Sequence, residues 1–275
     1  MKTLYKISVL VVLLTILNSC EKVIELDLKD AKQQIVVDAN INNGEGNNLV
    51  ILTKSGSFYE SNDFETVKNA SVIITKSTGE SYVLEEVEDG VYNNDTLNGQ
   101  FLSNYELNIL AEGKTITSSS IMPKLVIIDS ISVEVIDDDF GGGGGPGSGP
   151  GEVSQKSYML FVNFTDDINE KNYYRIKVTV NNEYIPDIFV LDDGLFNGLS
   201  TKLPLHMGGF FPGDIVTVEL LSIDKANYEY YRLLAENDMG AMSTSVGNPV
   251  SNVDGEDVIG VFGAVAVDSE TIILE

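Results

Sequence analysis

Tryptophan is absent from this chain of 275 residues, and cysteine and histidine occur once each. A single cysteine cannot close an intrachain disulfide, so the fold has to be held by core burial and backbone pairing. One histidine and one cysteine cannot assemble a zinc cluster either. His206, in the strand-like stretch LPLHMGGFF, is the one imidazole that a nucleophile, histidine and acid triad could use, yet no GxSxG elbow accompanies it. It reads as an ordinary histidine. Basic residues are few: 17 Lys and Arg stand against 42 Asp and Glu, a formal charge of −25. Such a surface repels phosphate backbones, and no nucleic-acid partner is expected. A long hydrophobic run is missing as well. The apolar stretch from Ile7 to Leu17 falls short of the roughly 20 residues that a membrane-spanning helix needs.

What that short run does offer is an address. Lys2 and Lys6 precede it and Asn18, Ser19 and Cys20 follow, the order of a secretory leader with its positive and apolar regions. Residues 1–19 therefore read as a signal peptide. Leu17-Asn18-Ser19-Cys20 resembles the bacterial lipobox, in which a leucine, a variable residue and a small residue precede an invariant cysteine. The resemblance implies cleavage before Cys20, a diacylglycerol on its sulfur and a further acyl chain on its new amino group. Two or more chains, at about 0.8 kcal/mol per buried methylene, hold a protein on a membrane almost permanently. Residues 20–29 become a lipidated tether. Loss of the leader removes two lysines and no acid, which makes the remaining chain more acidic still.

From Gln34 the pattern has a period of two. QIVVDANI, NLVILT, ASVIITK, ESYVLEEV, NYELNILA and KTITSSSI are short β-branched runs separated by NNGEGNN, STGE and EDG. Repeated short strands with turn residues between them indicate a β-sandwich, here over residues 30–123 and ended by Pro123. Tyr105, after the glycine-containing turn DTLNGQ, has the setting either of the tyrosine corner of immunoglobulin-like domains or of an ordinary strand tyrosine. Residues 124–275 form a second β domain. Its Gly-rich segment 140–152 cannot bury a core and reads as an interdomain linker or, since the strands on either side have matching lengths, as a hairpin loop inside this domain. No Lys-Ser/Thr pair follows those glycines, as a phosphate loop requires. Within 224–238, DKANYEYYRLLAEND, Asp224 can cap a helix whose Tyr228, Tyr231 and Leu234 share one face. Together with Tyr173, Tyr174 and Tyr230 these rings suggest a sugar platform or, more simply, packing against the sheet. The small residues of Val258–Val267 suit a strand that another backbone approaches closely.

Carboxylates come in pairs. Asp166, Asp167, Asp192 and Asp193 are hard oxygen ligands of the kind that hold calcium, although none lies at the spacing of an EF-hand loop. In so acidic a chain the plain reading is solvated turns. A carboxylate pair is also the chemistry of glycoside hydrolysis, which leaves a hydrolase as the enzymatic alternative.

The chain also resembles a family of Bacteroidota surface lipoproteins that is known as a domain of unknown function and is commonly encoded beside TonB-dependent outer-membrane receptors. The residues concerned are Cys20-Glu21-Lys22-Val23-Ile24-Glu25-Leu26, IVVDANI, NASVIIT, DGVY, KNYYRIKV, GDIVTVELLSID and PVSNVDGEDVIGVFGA, in that order. The resemblance implies two β domains, an outer-membrane lipid anchor, a TonB-dependent receptor as partner and no assigned catalytic residue. The expectation is an all-β protein of two β-sandwich, immunoglobulin-like domains, the second carrying one short α-helix. It is expected on the outer membrane through Cys20, at the cell surface or on the periplasmic face. It would serve without a cofactor as a non-enzymatic binding or accessory subunit of a TonB-dependent nutrient-uptake system, with a small nutrient or glycan as ligand. A structural or adhesive surface lipoprotein is the alternative.

Overall fold

The computed structural model describes residues 32–44, 48–56, 64–136, 157–238 and 247–275, without the side chains of 206–208 and 238. The leader, Cys20, the tether, the Gly-rich segment 140–152 and the imidazole of His206 lie outside the described residues.

The expected period-two runs are strands, and the protein is mainly β, with a sandwich-like arrangement of large sheets. The first seven are β1 (Ile35–Asn42), β2 (Leu49–Lys54), β3 (Ser71–Lys76), β4 (Ser81–Glu88), β5 (Val91–Asn93), β6 (Asn104–Ala111) and β7 (Lys114–Ile121). Then follow β8 (Ile128–Ile136), β9 (Ser157–Thr165), β10 (Tyr173–Val180), β11 (Glu183–Asp192), β12 (Ser200–Phe210) and β13 (Ile215–Ile223). Helix α1 (Lys225–Asp238), β14 (Val253–Asp254) and β15 (Val258–Ile273) complete the order.

Alternation places one set of side chains inside. Ile35, Val37, Ala39 and Ile41 of β1 face Val72 and Ile74 of β3 and Tyr105, Leu107 and Ile109 of β6, a sheet-on-sheet core. A second core is built the same way. Tyr158, Leu160, Val162 and Phe164 of β9 pack over Tyr174, Ile176 and Val178 of β10 and Val216, Val218 and Leu220 of β13. The strands flanking the Gly-rich segment, β8 and β9, pair antiparallel as the arms of a hairpin do, from Ile128↔Phe164 to Ile136↔Ser157. Asn181 and Asn182, both with positive φ, close the β10–β11 hairpin in the two-residue turn that suits twisted strands. β11 is an edge strand, where Pro186 costs no ladder hydrogen bond.

The final strand serves both cores. Its first half pairs parallel with β1, from Ile35↔Val258 to Asn42↔Val265, and its second half pairs antiparallel with β13, from Ser222↔Ala266 to Ile215↔Ile273. Phe262, Ala264 and Ala266 therefore lie in the first core although they belong to the last fifteen or so residues. Lys32–Glu275 cluster as one compact unit around this shared strand. The small residues have the expected use, because a Cβ at Gly260, where φ is +139°, would overlap the Val37 backbone.

Candidate functional site

On β10, β13, β15 and β1 the side chains opposite the two cores form an outer face, and α1 lies on it. Asp224 starts the helix as expected: its Oδ1 accepts the Asn227 amide at 2.9 Å. The hydroxyl of Ser120 donates to Asp224 Oδ2 at 2.6 Å and accepts the Ala264 amide at 2.8 Å. Asn227 Nδ2 donates to the Phe262 carbonyl at 3.0 Å. These bonds fasten the first turn of α1 to β7 and β15, and so determine where the rest of the helix lies.

The tyrosines divide between two faces. Tyr174 is fully buried in the second core, while its neighbour Tyr173 points the other way and meets Tyr228 with ring centroids 5.0 Å apart. Tyr231 is buried beneath the Arg175 guanidinium, 3.8 Å from the ring centroid, and Tyr230 meets it edge-on at 5.4 Å. Burial pushes Tyr231 up to about 12. The rings hold the helix on the sheet, with Tyr174 and Tyr231 buried and Tyr173, Tyr228 and Tyr230 half-buried.

Beside the helix the same outer face opens into a cleft of about 300 Å³. Asn40, Asn42, Lys177 and Glu219 supply its polar lining, and Leu49, Leu221, Val265 and Val267 its apolar lining. Register explains the gathering: Lys177 is the direct cross-strand partner of Glu219, Leu221 of Val267, and Asn42 of Val265. Lys177 also stands at an irregularity. Three residues of β11, Pro186 to Ile188, lie between the pairs Ile176↔Phe189 and Val178↔Ile185, opposite this one residue of β10. Burial, with Arg175 adding, pushes the Lys177 ammonium below its ordinary value, and the charges of Glu219 and Asp38 only partly oppose this. Neither Lys177 nor Glu219 makes a side-chain hydrogen bond or ion pair with another described residue. Nearby, the buried Nε of Arg175 has no hydrogen-bond partner among the described residues.

The four paired aspartates lie elsewhere, in the turns that join β9 to β10 and β11 to β12. Asp166, buried, accepts the Tyr174 hydroxyl and the Gly198 amide, the latter at 2.9 Å. Asp193, also buried, accepts the Asn172 amide at 2.7 Å and the Lys171 ammonium. Asp192 accepts the Gly194 amide at 3.0 Å and lies 3.2 Å from Lys171. Asp167 is held down at about 2 by the Asn169 amide and by Lys124. Each carboxylate thus holds a turn in place. Among the described residues no group of three or more His, Cys, Asp or Glu side chains is set to hold a metal ion. Of the two turns that they fix, β11–β12 presents Leu195, which is 96% exposed, and Leu199, and β9–β10 presents Ile168, the latter two also largely exposed.

Sequence reasoning named these aspartates and the tyrosines but did not single out Lys177, Glu219, Asn40 or Asn42. A signal was present. Arg175 and Lys177 occupy alternate positions of YYRIKVTV in a chain with few cations, on the face opposite the apolar one.

Fold and cleft define a sandwich-like, mainly β protein whose helix-bearing face carries this polar recess of about 300 Å³ and a second of about 510 Å³ between β11 and α1, lined by Pro186, Asp187, Ile188, Leu234 and Asn237. The profile of a family described as a domain of unknown function, DUF4249, matches residues 21–271, and the chain belongs to that family. A comparison with curated proteins gives no match.

Proposed function

We propose that this is a lipid-anchored outer-membrane lipoprotein of the Bacteroidota type, acting as a non-enzymatic binding and accessory subunit of a TonB-dependent nutrient-uptake system. The observation that carries the reading is Cys20, directly behind an apolar leader, with the family match beginning at the next residue, 21. Lipid at Cys20 would keep the β body beside an outer-membrane receptor. No helix among the described residues is long and apolar enough to cross a membrane, so this reading assigns attachment to the lipid.

Two features support binding as the task. The cleft holds a cation and a carboxylate that no other described residue meets in a hydrogen bond or ion pair, and a ligand can supply such partners. The Leu195 turn presents apolar side chains on a rigid support, the form expected of a surface that docks on a protein. Purification of C-terminally tagged protein from outer membranes in mild detergent, beside the Cys20→Ala form, tests the reading. A TonB-dependent receptor recovered in stoichiometric amount with the wild type alone is the expected result. Recovery of the protein alone, or only from the inner membrane, overturns it.

A further inference from the structure

We infer that the cleft bordered by β1, β2, β10, β13 and β15 binds a small zwitterion with an apolar side chain, an α-amino acid or a dipeptide, whose carboxylate meets Lys177 and whose ammonium meets Glu219. This rests on the reading of the protein as a binding subunit and names the ligand class of its cleft.

The argument begins with a pair that does not pair. Lys177 and Glu219 are direct partners across the antiparallel β10–β13 ladder, where opposite charges ordinarily meet and stabilise the sheet. Here they stand apart, each without a hydrogen bond or ion pair to another described residue, and both line the same recess. A half-buried lysine with no counter-charge in contact among the described residues is unfavourable for folding. Such a cost is tolerated where a ligand will supply the missing partner. The irregularity of β11 opposite Lys177 fits this, since interruptions of a ladder re-aim side chains beside binding sites.

Charge then selects the ligand. One cation and one carboxylate in the lining match a molecule that carries both signs. A simple anion would meet Glu219 and the strongly negative chain, whereas a zwitterion carries no net charge for that field to repel. A simple cation would leave Lys177 unmatched. A metal ion would find a lysine among its neighbours and one carboxylate, too few hard ligands for calcium.

Size and wall chemistry narrow the choice. A recess of about 300 Å³ lies at the lower end of small-molecule sites, which run from roughly 300 to 1,000 Å³. Leu49, Leu221, Val265 and Val267 offer an apolar wall for a side chain, and the amide oxygen of Asn40, whose Nδ2 donates to Asp38, can accept from a peptide N–H. A sugar would ask for an aromatic ring to stack on, and no aromatic side chain lines the cleft among the described residues.

Titration calorimetry on the full-length lipoprotein in detergent micelles, with leucine, leucylleucine, N-acetyl-leucinamide and glucose as probes, tests the inference. Saturable binding of leucine or leucylleucine is expected. Lys177→Met and Glu219→Gln should each weaken it about tenfold or more, as loss of a charge-assisted hydrogen bond does. Lys177→Arg and Glu219→Asp should retain most of it, and thermal melts establish that all four variants fold. The inference falls if neither zwitterion binds, if N-acetyl-leucinamide binds equally well, if glucose alone binds, or if the charge-removing variants bind like the wild type. Receptor co-purification is read separately. A receptor recovered with a protein that binds no zwitterion would sink the ligand class and leave the accessory role standing, and zwitterion binding without a receptor would do the reverse.

Discussion

Gly260 runs so close to Val37 that a side chain at 260 would occupy the place of the Val37 carbonyl oxygen. This contact sits in the parallel pairing of β1 with β15, the pairing that brings the end of the chain back to its first strand.

Gly260→Ala should therefore cost roughly 3–5 kcal/mol, since it combines a forced backbone shift with a positive φ that alanine disfavours. Gly79→Ala is the control, because φ there is also positive but nothing lies within 4 Å of the added Cβ. It should cost only about 1 kcal/mol. Urea denaturation of the two variants checks the difference, and equal losses would mean that close approach is not what the glycine at 260 serves.

Tyr105 is fully buried, and its hydroxyl accepts the Gln100 amide at 2.7 Å, five residues upstream. This is the tyrosine-corner arrangement, not an ordinary strand tyrosine. Tyr105→Phe removes an oxygen from a site that excludes water and leaves an amide without its acceptor. A loss of about 1–3 kcal/mol in equilibrium unfolding is expected.

Asp166 holds two elements at once, through the Tyr174 hydroxyl on β10 and the Gly198 amide in the β11–β12 turn. Burial, with Asp166 adding, pushes the Tyr174 phenol far above its ordinary range, so it stays a donor at any physiological pH. Tyr174→Phe should cost about 1–2 kcal/mol and Asp166→Ala roughly 3 kcal/mol, with strong coupling in the double mutant. Since Asp166, Asp167, Asp192 and Asp193 already have donors, removal of calcium with a chelator should leave the melting temperature unchanged. A calcium-dependent rise would return these turns to the list of metal sites.

Lys177 should be a cost to the empty protein. Its folded value lies below the ordinary 10.5, so the unfolded chain holds that proton more strongly. The penalty is full below the folded value and fades as pH rises through the window between that value and 10.5. Lys177→Met should stabilise the unliganded protein near neutral pH by about 1 kcal/mol, a rise of roughly 2–4 °C in Tm, and the gain should vanish above that window. A destabilised Lys177→Met protein would mean that the ammonium contributes to the fold instead of waiting for a ligand.

Much of the architecture was legible in the residues themselves. Alternation in IVVDANI, SVIIT and YELNILA marked strands and their inner faces because side chains of a strand point to opposite sides in turn. Asp224 marked the start of α1 because a carboxylate before a helical stripe accepts the free amides of its first turn. The candidate site was not legible in the same way. The four aspartates stood out by adjacency, yet their burial and their separate donors depend on how the turns fold back on Lys171, Tyr174 and Gly198.

The local signals of this chain determined its β class, its capped helix α1 and the position of Tyr105, because each depends on residues a few places apart. The union of β1 with β15, and the meeting of Asn40, Lys177 and Glu219 around one cleft, were decided only in three dimensions. They depend on pairings between segments far apart in the chain, whose register is selected by the packing of both faces together and is written in no single segment.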